Sequence, residues 1–492
     1  MSAAHRLVLA CAIFACACGA ESAGGYVPKE LPDRRGQPIA ERAVPTPKEA
    51  AADKPPAPLA RKMRRASRPT ETRLSNGIRV LMLERHDFPA ATVGLVLDRG
   101  AASAPSGVAS LYAEAIRGSS GEHSRKDAFG YLRYIGATTR TWATRDAVSI
   151  STTALSPFVW GAFERVAPMM TKPLFESEDL ADARTSARAD AAIERERGTD
   201  KARAAMFEML FPSGHPYGRT TSAWDDARYE KMSKNELESF QSMFVVAERV
   251  SVVAVGDFSP KELVRQLEKR LRGLPKKKAG VPPEPPPIQR PARARITIID
   301  RKGASQSNVA IGFSGARRAE QVHAPLAILQ SMLGRGLSGR LNLKVRGEHG
   351  ATYGVHMRDH AWRDGGAIEV FAAIDTQATA KALSGLMTEL ARVRTEAVED
   401  AELTRAKAHA IDSAIDVDSY GSLASLAGAG LPLDHWDKLE MAIAAQSSED
   451  VQQAAATYLA TDVAQIAIVG DADAIATPLR ALNIGEVTIK PP

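Results

Sequence analysis

The chain carries one stretch twice: Val252-Val253-Ala254-Val255-Gly256-Asp257 returns as Ile466-Ala467-Ile468-Val469-Gly470-Asp471. In both copies four apolar residues run into Gly-Asp, which is the pattern of an apolar strand that ends in a turn. The copies begin 214 residues apart, and each closes one half of the chain. Each half also has an opening and a central strand pattern, at 91–97 and 147–151 and at 307–313 and 367–371. This repeated order predicts an internal duplication.

Helical patterns lie between the predicted strands. Residues from Asp179 to Arg197 and from Ser448 to Ala460 place apolar side chains on one face at the 3.6-residue period. Strands and helices that share one half of a chain predict a sheet with helices packed on it. A length of 492 residues also exceeds one ordinary domain. We therefore expect an α+β protein with two homologous lobes in one chain.

Two Pro-rich stretches set the predicted boundaries. Residues 21–69 are rich in Pro, Ala, Gly and charge without a sustained apolar period, which predicts a disordered tether. A second Pro-rich stretch predicts an extended linker over 276–292. The lobes are then expected at 70–275 and 293–488.

The charge pattern argues against a nucleic-acid partner. The net charge is +6, and much of the positive excess lies in short runs at 61–65 and 276–278, beside the Pro-rich stretches. No aromatic residues interleave with these runs, so they indicate solvated linkers. Hydrophobic residues make up 44% of the chain and charged residues 25%, which is typical of a globular protein.

The N-terminus has the features of an export signal. Residues 1–6 form a short basic region, and residues 7–17 form an apolar run that is too short to span a bilayer. The following Ala15-Cys16-Ala17-Cys18-Gly19 resembles a bacterial lipobox. We predict a lipoprotein-type signal over 1–20, with lipid on Cys18 or else on Cys16; a plain secretory signal is the alternative. The chain is then exported to the bacterial cell envelope, and the lipid would anchor it to the membrane, facing the periplasm.

Motifs in both halves resemble those of the M16 (insulinase-like) zinc peptidases. The first half has the strand-turn Leu74-Ser75-Asn76-Gly77-Ile78-Arg79-Val80 and the loop Gly214-His215-Pro216-Tyr217-Gly218. The second half has a Gly-rich stretch at 333–341 and a family-like segment at 345–354. The resemblance covers residues 72–486. It implies two homologous lobes, each a mostly antiparallel sheet packed with helices, which together enclose half of a peptide-binding chamber.

The family's zinc motif is degenerate in this chain. Active members have His-x-x-Glu-His on a helix, where two His bind zinc and the Glu activates the bound water. The matching segment, 107–116, has Ser110 at the first ligand position, Ala113 at the general base and Glu114 at the second ligand position. It contains no histidine, so a shifted alignment does not restore the motif. The resemblance therefore implies no catalytic residue and no metal in this chain, and zinc is expected only in a partner subunit.

Other candidate ligands are weak. Glu194 or Glu196 falls near the place of the family's third ligand, but without the His pair either is expected to be a surface carboxylate of a helix. His356 and His360 read as His-x-x-Asp-His, yet the preceding Thr352-Tyr353-Gly354-Val355 favours a strand. Two His four residues apart on a strand lie about 13 Å apart, which is too far to share a metal.

The resemblance also implies a substrate-binding pair. In M16 peptidases an Arg and a Tyr seven residues apart in the second lobe reach the substrate, and the matching residues are Arg346 and Tyr353. An Arg offers donors to a substrate carbonyl, and a Tyr hydroxyl can stabilise an oxyanion. The alternative is structural, with Arg346 in a salt bridge to Glu348 and Tyr353 packed on the sheet.

These observations leave three hypotheses. The first is a non-catalytic subunit that pairs with an M16 subunit bearing an intact His-x-x-Glu-His, and that supplies Arg346 and Tyr353 to peptide substrates. The second is a peptide-binding or scaffold protein of the cell envelope with no proteolytic role. The third is an enzyme with a site that the sequence does not reveal. The sequence does not distinguish homodimers from heterodimers.

Overall fold

The computed structural model describes residues 68–336, 338–347, 350–414 and 419–491, which belong to one compact unit. The predicted signal peptide, Cys16, Cys18 and nearly all of the predicted tether lie outside these ranges. The strands are β1 (Thr70–Arg73), β2 (Arg79–Glu84), β3 (Ala90–Leu97), β4 (Thr138–Ala143), β5 (Val148–Leu155), β6 (Val250–Gly256), β7 (Arg295–Asp300), β8 (Gln306–Ser314), β9 (Thr352–Ala361), β10 (Gly366–Asp375), β11 (Gln465–Gly470) and β12 (Glu486–Lys490).

The helices separate the strands in both halves. Those of the first half are α1 (Val108–Ala115), α2 (Arg125–Tyr134), α3 (Val159–Thr171), α4 (Ser177–Glu196), α5 (Gly198–Leu210), α6 (Asp226–Lys231), α7 (Lys234–Phe244) and α8 (Pro260–Leu271). Those of the second half are α9 (His323–Gly334), the short α10 (Arg340–Asn342), α11 (Thr379–Arg392), α12 (Asp400–Ala414), α13 (Tyr420–Ala429), α14 (His435–Ala445), α15 (Ser448–Tyr458) and α16 (Ala472–Ala481). The fold is α+β, as predicted.

Two six-stranded mixed sheets confirm the duplication. Their orders are β1-β2-β6-β3-β5-β4 and β12-β7-β11-β8-β10-β9. In each sheet the repeated closing strand, β6 or β11, pairs in parallel with one neighbour and antiparallel with the opening strand on its other side. Five strands of each sheet therefore correspond in order and direction, while the sixth, β1 or β12, pairs antiparallel in one sheet and parallel in the other.

The closing strands are apolar over 252–255 and 466–469 because both of their faces are buried there. Val252 and Ala254 of β6 pack into the core of the first half, whereas Val253 belongs to a separate cluster on the opposite face of the sheet. The strand β11 alternates in the same way, with Ile466 on one face and Ala467 on the other. An unbroken apolar run in a strand therefore indicates that both faces of the sheet are covered at that strand.

A helix from the first half covers the second face of the second sheet. Met206, Phe207 and Leu210 of α5 form one cluster with residues of β8, β10 and β11. Gly312 of β8 makes this approach possible, because a Cβ there would lie 2.6 and 2.7 Å from side-chain atoms of Met206 and Leu210. The α5 helix therefore belongs to the core of the other half.

A helix from the second half covers the first sheet reciprocally. Leu423 and Leu426 of α13 pack against Val96 and Val253 of β3 and β6. The Tyr420 hydroxyl at the start of α13 lies over Gly94, where a Cβ would overlap it. Full burial of one Leu side chain contributes about 1.5–3 kcal/mol. Because each half covers a sheet of the other, we expect the two halves to unfold together.

A buried acid also joins the halves. Asp146, in the turn between β4 and β5, accepts hydrogen bonds from Arg318 Nη2 at 2.7 Å, from the Arg363 amide at 2.9 Å and from the Tyr217 hydroxyl at 2.9 Å. The Tyr217 hydroxyl in turn accepts from the Asp364 amide at 3.1 Å. Arg318, Arg363 and Asp364 all belong to the second half, so one carboxylate ties both halves together.

The predicted elements are confirmed closely. The strands expected at 91–97, 307–313 and 367–371 are β3, β8 and β10, and the helix expected from Asp179 to Arg197 is α4. The predicted linker, 276–292, contains neither a helix nor a strand. The lobe boundaries themselves stay predictions. Within the described ranges, no helix has the length and apolar character needed to cross a membrane.

Candidate functional site

Arg346 and Tyr353 lie together at the start of β9. Arg346 is on a π-helical turn, Leu343–Gly347, which continues α10. Its Nη1 donates a hydrogen bond to the main-chain carbonyl of Tyr353 at 2.9 Å. Arg346 therefore binds the main chain of Tyr353, and this hydrogen bond does not involve the phenol hydroxyl.

Tyr353 is presented to solvent. Its relative exposure is 86%, so the alternative in which its ring packs on the sheet is wrong. The ring borders a cavity of about 300 Å³ that is also lined by Asn342, His356 and Phe371. A phenol in this position can donate to, or accept from, a group that enters the cavity. Glu348, the alternative partner of Arg346, lies outside the described residues.

Asn342 holds this segment in place, which sequence reasoning did not foresee. The Val355 amide donates to Asn342 Oδ1 at 2.7 Å, and Asn342 Nδ2 donates to the Val355 carbonyl at 2.8 Å. The side-chain amide thus pairs with the outer edge of β9 as another strand would. Further along this edge, the Asp359 amide donates to Gln330 Oε1 at 3.1 Å. The outer edge of β9 is therefore partly occupied by side chains of the chain itself.

The first position of the degenerate zinc motif is taken by a hydrogen-bond chain. The Ala223 amide donates to the Tyr229 hydroxyl at 2.9 Å, and that hydroxyl lies 2.8 Å from Ser110 Oγ. Ser110 Oγ also lies 3.0 Å from the Gly107 carbonyl, to which it donates. Each hydroxyl can therefore donate to the next oxygen in one direction. Tyr229 is fully buried, and burial raises its pKa. No sequence motif marked Tyr229 for this place.

The other motif positions are also unsuited to a metal. Ala113 is a buried methyl group, and Glu114 pairs with Arg117 at 3.1 Å. Glu194 accepts hydrogen bonds from Ser222 Oγ and from Trp224 Nε1, the latter at 3.3 Å. Glu194 is thus a half-buried carboxylate of the α4 helix, because the loop that follows α5 folds back and binds it.

The remaining candidates behave as predicted. Glu196 is exposed, with its carboxylate 3.9 Å from Arg301. His356 and His360 lie on β9, and His360 Nε2 lies 2.8 Å from the carboxylate of Glu369. Burial lowers the pKa of His360, so its neutral ring donates to Glu369. Across the described ranges, no group of three or more His, Cys, Asp or Glu side chains could hold a metal ion. The residues present therefore do not fit the family's zinc ion.

Comparison with known proteins finds M16 peptidases. The family described as "Peptidase M16 inactive domain" matches residues 231–409, a span that includes Arg346 and Tyr353. By this match the chain is a homologue of the M16 peptidases. Among its relatives, an uncharacterised zinc protease of Mycobacterium tuberculosis is 24% identical over 343 residues, which cover 69% of this chain and 78% of the relative. Another from Streptomyces coelicolor is 25% identical over 249 residues, covering 50% of this chain and 54% of the relative.

Solved structures support the fold of this M16 homologue. The peptidase M16 inactive domain from Pseudomonas fluorescens superposes with a TM-score of 0.75 at 21% identity, covering 82% of this chain and 98% of that one. A protease from Helicobacter pylori superposes with a TM-score of 0.73 at 15% identity, covering 82% and 100%. At these identities the similarity establishes the architecture of two helix-packed mixed sheets.

Proposed function

We propose that this M16 chain is a non-catalytic subunit that completes the peptide chamber of a zinc-bearing M16 partner. One observation carries the proposal: the metal positions are filled by Ser110, Ala113 and an ion-paired Glu114, while Tyr353 stays exposed beside Arg346. A chain with this pair of features can contribute to binding and orienting a peptide. The cleavage itself would be supplied by a partner with an intact His-x-x-Glu-His and its zinc.

The outer edge of the first sheet favours binding of an extended peptide to the first half of the chain. The strand β4 ends its sheet, and no other strand of the described residues pairs with its outer edge. An extended peptide can add to such an edge through main-chain hydrogen bonds. The α1 helix, which carries the degenerate motif, packs against β4. A peptide at this edge would therefore pass the place where an active family member holds zinc.

Arg346 and Tyr353 would act on a peptide that is held at the partner's metal. A guanidinium with spare N–H groups can donate to a peptide carbonyl, and a phenol can donate to the oxyanion that forms during attack by water. The hydrogen bond from Arg346 to the Tyr353 carbonyl holds both groups at one site. The pair would then stabilise a transition state generated on the partner's metal.

Mixing experiments test the proposal. The purified chain is combined with a purified M16 protein from the same genome that has an intact motif, and cleavage of a quenched fluorescent peptide is followed. We expect activity only in the mixture. Arg346→Ala should lower kcat by about 100-fold, the usual cost of removing one oxyanion donor, with association unchanged by ultracentrifugation. The matched control is Arg293→Gln, an exposed arginine paired only with Glu486 in the described part of the chain.

Two results would count against the pairing. If the partner alone is fully active, or if Arg346→Ala is silent in an active mixture, this chain takes no part in chemistry. Peptide binding that persists in that case would support the alternative, a peptide-binding or scaffold protein of the cell envelope. Cleavage by this chain alone, with one bound zinc, would establish it as an enzyme.

Export and anchoring belong to the same proposal. The lipobox-like segment supports attachment of lipid at Cys18, which would hold the chamber at the membrane, facing the periplasm. Growth with a labelled fatty acid tests this: Cys18→Ser should abolish labelling and Cys16→Ser should preserve it. Unlabelled wild-type protein recovered free in the periplasm would instead support the plain secretory signal.

A further inference from the structure

The second half contains a large cavity that the family motifs do not include. Its volume is about 820 Å³, within the range of sites that enclose small ligands. It lies between α9, the outer edge of β9 and the helices α13 and α14. We call it the α9–α14 cavity; its walls include Ser331, Trp436, Arg318, Arg335, Asp359 and Leu426.

Several polar atoms in the walls have no protein partner. Ser331 is 8% exposed, and its Oγ makes no hydrogen bond to any described residue. Trp436 Nε1, Arg318 Nη1 and Asp359 Oδ1 are buried and equally unpartnered within the described ranges. Buried polar atoms are rarely left without partners, because the lost hydrogen bond to water is costly. A built site with unfilled donors indicates a ligand rather than a packing gap.

The hydrogen-bond donors and the positive charges in the cavity walls favour an anionic ligand. Trp436 Nε1 and Arg318 Nη1 can only donate. The exposed guanidiniums of Arg335 and Arg358 add positive charge at the walls. Asp359 is the one acid among the described wall residues, and its Oδ2 is bonded to His323 Nδ1 at 2.8 Å. Arginine pairs well with carboxylates in such surroundings.

The geometry does not favour catalysis in this cavity. Ser331, His323 and Asp359 are the residue types of a hydrolytic triad. However, the second ring nitrogen of His323, Nε2, lies 3.0 Å from the Arg317 carbonyl. A histidine bonded at both nitrogens has none left to activate Ser331 Oγ. The cavity is therefore suited to binding.

The cavity adjoins the site of Tyr353. Gly336 and His356 line both the α9–α14 cavity and the smaller cavity beside the Tyr353 ring. An extended peptide that passes Tyr353 could therefore continue into the larger space. Asp359 Oδ1 would accept a main-chain N–H of such a peptide, and apolar walls at Leu426 and Met357 would receive a side chain.

We infer that the α9–α14 cavity binds a carboxylate of a peptide, held by Trp436 Nε1, Ser331 Oγ and the arginines. The carboxylate is either the C-terminus or an acidic side chain. This inference rests on the proposed function in taking the ligand to be a peptide. It adds a second attachment point to the one at Arg346 and Tyr353.

Binding of three peptides to the purified full chain tests the inference. The probes are a fluorescein-labelled Gly-Ala-Leu-Ala-Leu-Phe with a free C-terminus, the same peptide amidated, and an amidated version with one internal Glu. Fluorescence anisotropy should show the free acid binding about 10-fold or more tightly than the plain amide, the effect of one charged hydrogen-bonding group. If the internal Glu restores binding, the site takes an acidic side chain; if it does not, the site takes the terminus.

Variants locate the effect. Trp436→Phe removes the N–H and keeps an aromatic ring, Ser331→Ala removes one hydroxyl, and Arg335→Gln removes a charge. Each should weaken binding of the acid peptide by about 3- to 10-fold and leave the amide unchanged. Trp160→Phe, a partly buried tryptophan in the core of the first half, is the matched control and should change neither. Thermal unfolding confirms that each variant is folded.

Equal affinity for the acid and both amides would overturn the inference, as would variants that weaken all three peptides alike. Because this assay uses no partner and no zinc, its outcome is separate from that of the mixing experiment. Carboxylate-dependent binding with an inactive mixture would reject the chamber proposal and keep the cavity. An active mixture without carboxylate-dependent binding would support the chamber proposal and reject the inference about the cavity.

Discussion

Replacing Asp146 by Ala should destabilise both halves of the chain at once. Asp146 is 8% exposed and accepts three hydrogen bonds, two of them from residues of the other half. Its partner Arg318 is 17% exposed at its side chain, so the guanidinium would stay largely buried without its counter-ion. The alanine also leaves the Tyr217 hydroxyl and the Arg363 amide without their acceptor.

The expected cost follows from what is left unpaired. Removing one partner of a buried ion pair costs about 3–5 kcal/mol, chiefly because the other charge stays desolvated. Asp146→Asn keeps an oxygen acceptor but loses the charge, and we expect a smaller loss of about 1–3 kcal/mol. Arg293→Gln breaks an exposed pair with Glu486, and its effect should stay below about 0.5 kcal/mol.

Urea unfolding followed by circular dichroism and by tryptophan fluorescence measures these differences. The wild-type protein should unfold in one transition with both probes, because α5 and α13 each cover the sheet of the other half. Asp146→Ala should shift that whole transition to lower urea. Two separate transitions in the wild type, or a loss below about 1 kcal/mol for Asp146→Ala, would refute the reasoning that the halves form one cooperative unit through this contact.

Two further predictions concern buried polar groups. Tyr229→Phe should lower the free energy of unfolding by about 1–3 kcal/mol, because the Ala223 amide loses its acceptor. The control Tyr134→Phe, at an 88% exposed position, should lower it by less than about 0.5 kcal/mol. Equal losses for the two variants in urea unfolding would contradict the buried hydrogen-bond chain. The pKa of His360 is lowered by burial, so the unfolded chain binds this proton at higher pH, and stability should fall as pH drops from about 6.5 toward the folded pKa. His360→Gln, which can still donate to Glu369, should lose less stability than the wild type between pH 7.5 and 5.5; parallel losses would show that His360 is not the titrating group.

The residues at the zinc-motif positions are engaged with other protein groups. A catalytic zinc site needs three protein ligands that converge on one point. At the corresponding positions here, Ser110 bonds to Tyr229, Glu114 pairs with Arg117, and Glu194 accepts hydrogen bonds from Ser222 and Trp224. These bonds satisfy polar atoms that would otherwise be buried without partners.

Local patterns in the sequence were sufficient for the repeated strands, for two of the long helices and for the duplication. The predicted strands alternate or run apolar, and this pattern depends on which faces are buried, not on what buries them. The positions Ser110, Ala113 and Glu114 followed from the resemblance to the M16 motif, and the strand at His356 followed from the residues that precede it. The seven-residue spacing of Arg346 and Tyr353 was likewise visible in the sequence.

Contacts between distant segments were decided only by the tertiary structure. The apolar run in β6 requires a cover on its second face, but nothing in that run names α13, which lies about 170 residues further on. Tyr229, which bonds to Ser110, lies on α6, and Ser222, which bonds to Glu194, lies in the loop between α5 and α6; the path of this segment depends on packing. The α9–α14 cavity also lies between elements that are distant from one another along the chain. Such contacts depend on three-dimensional proximity, which the order of residues along one element does not contain.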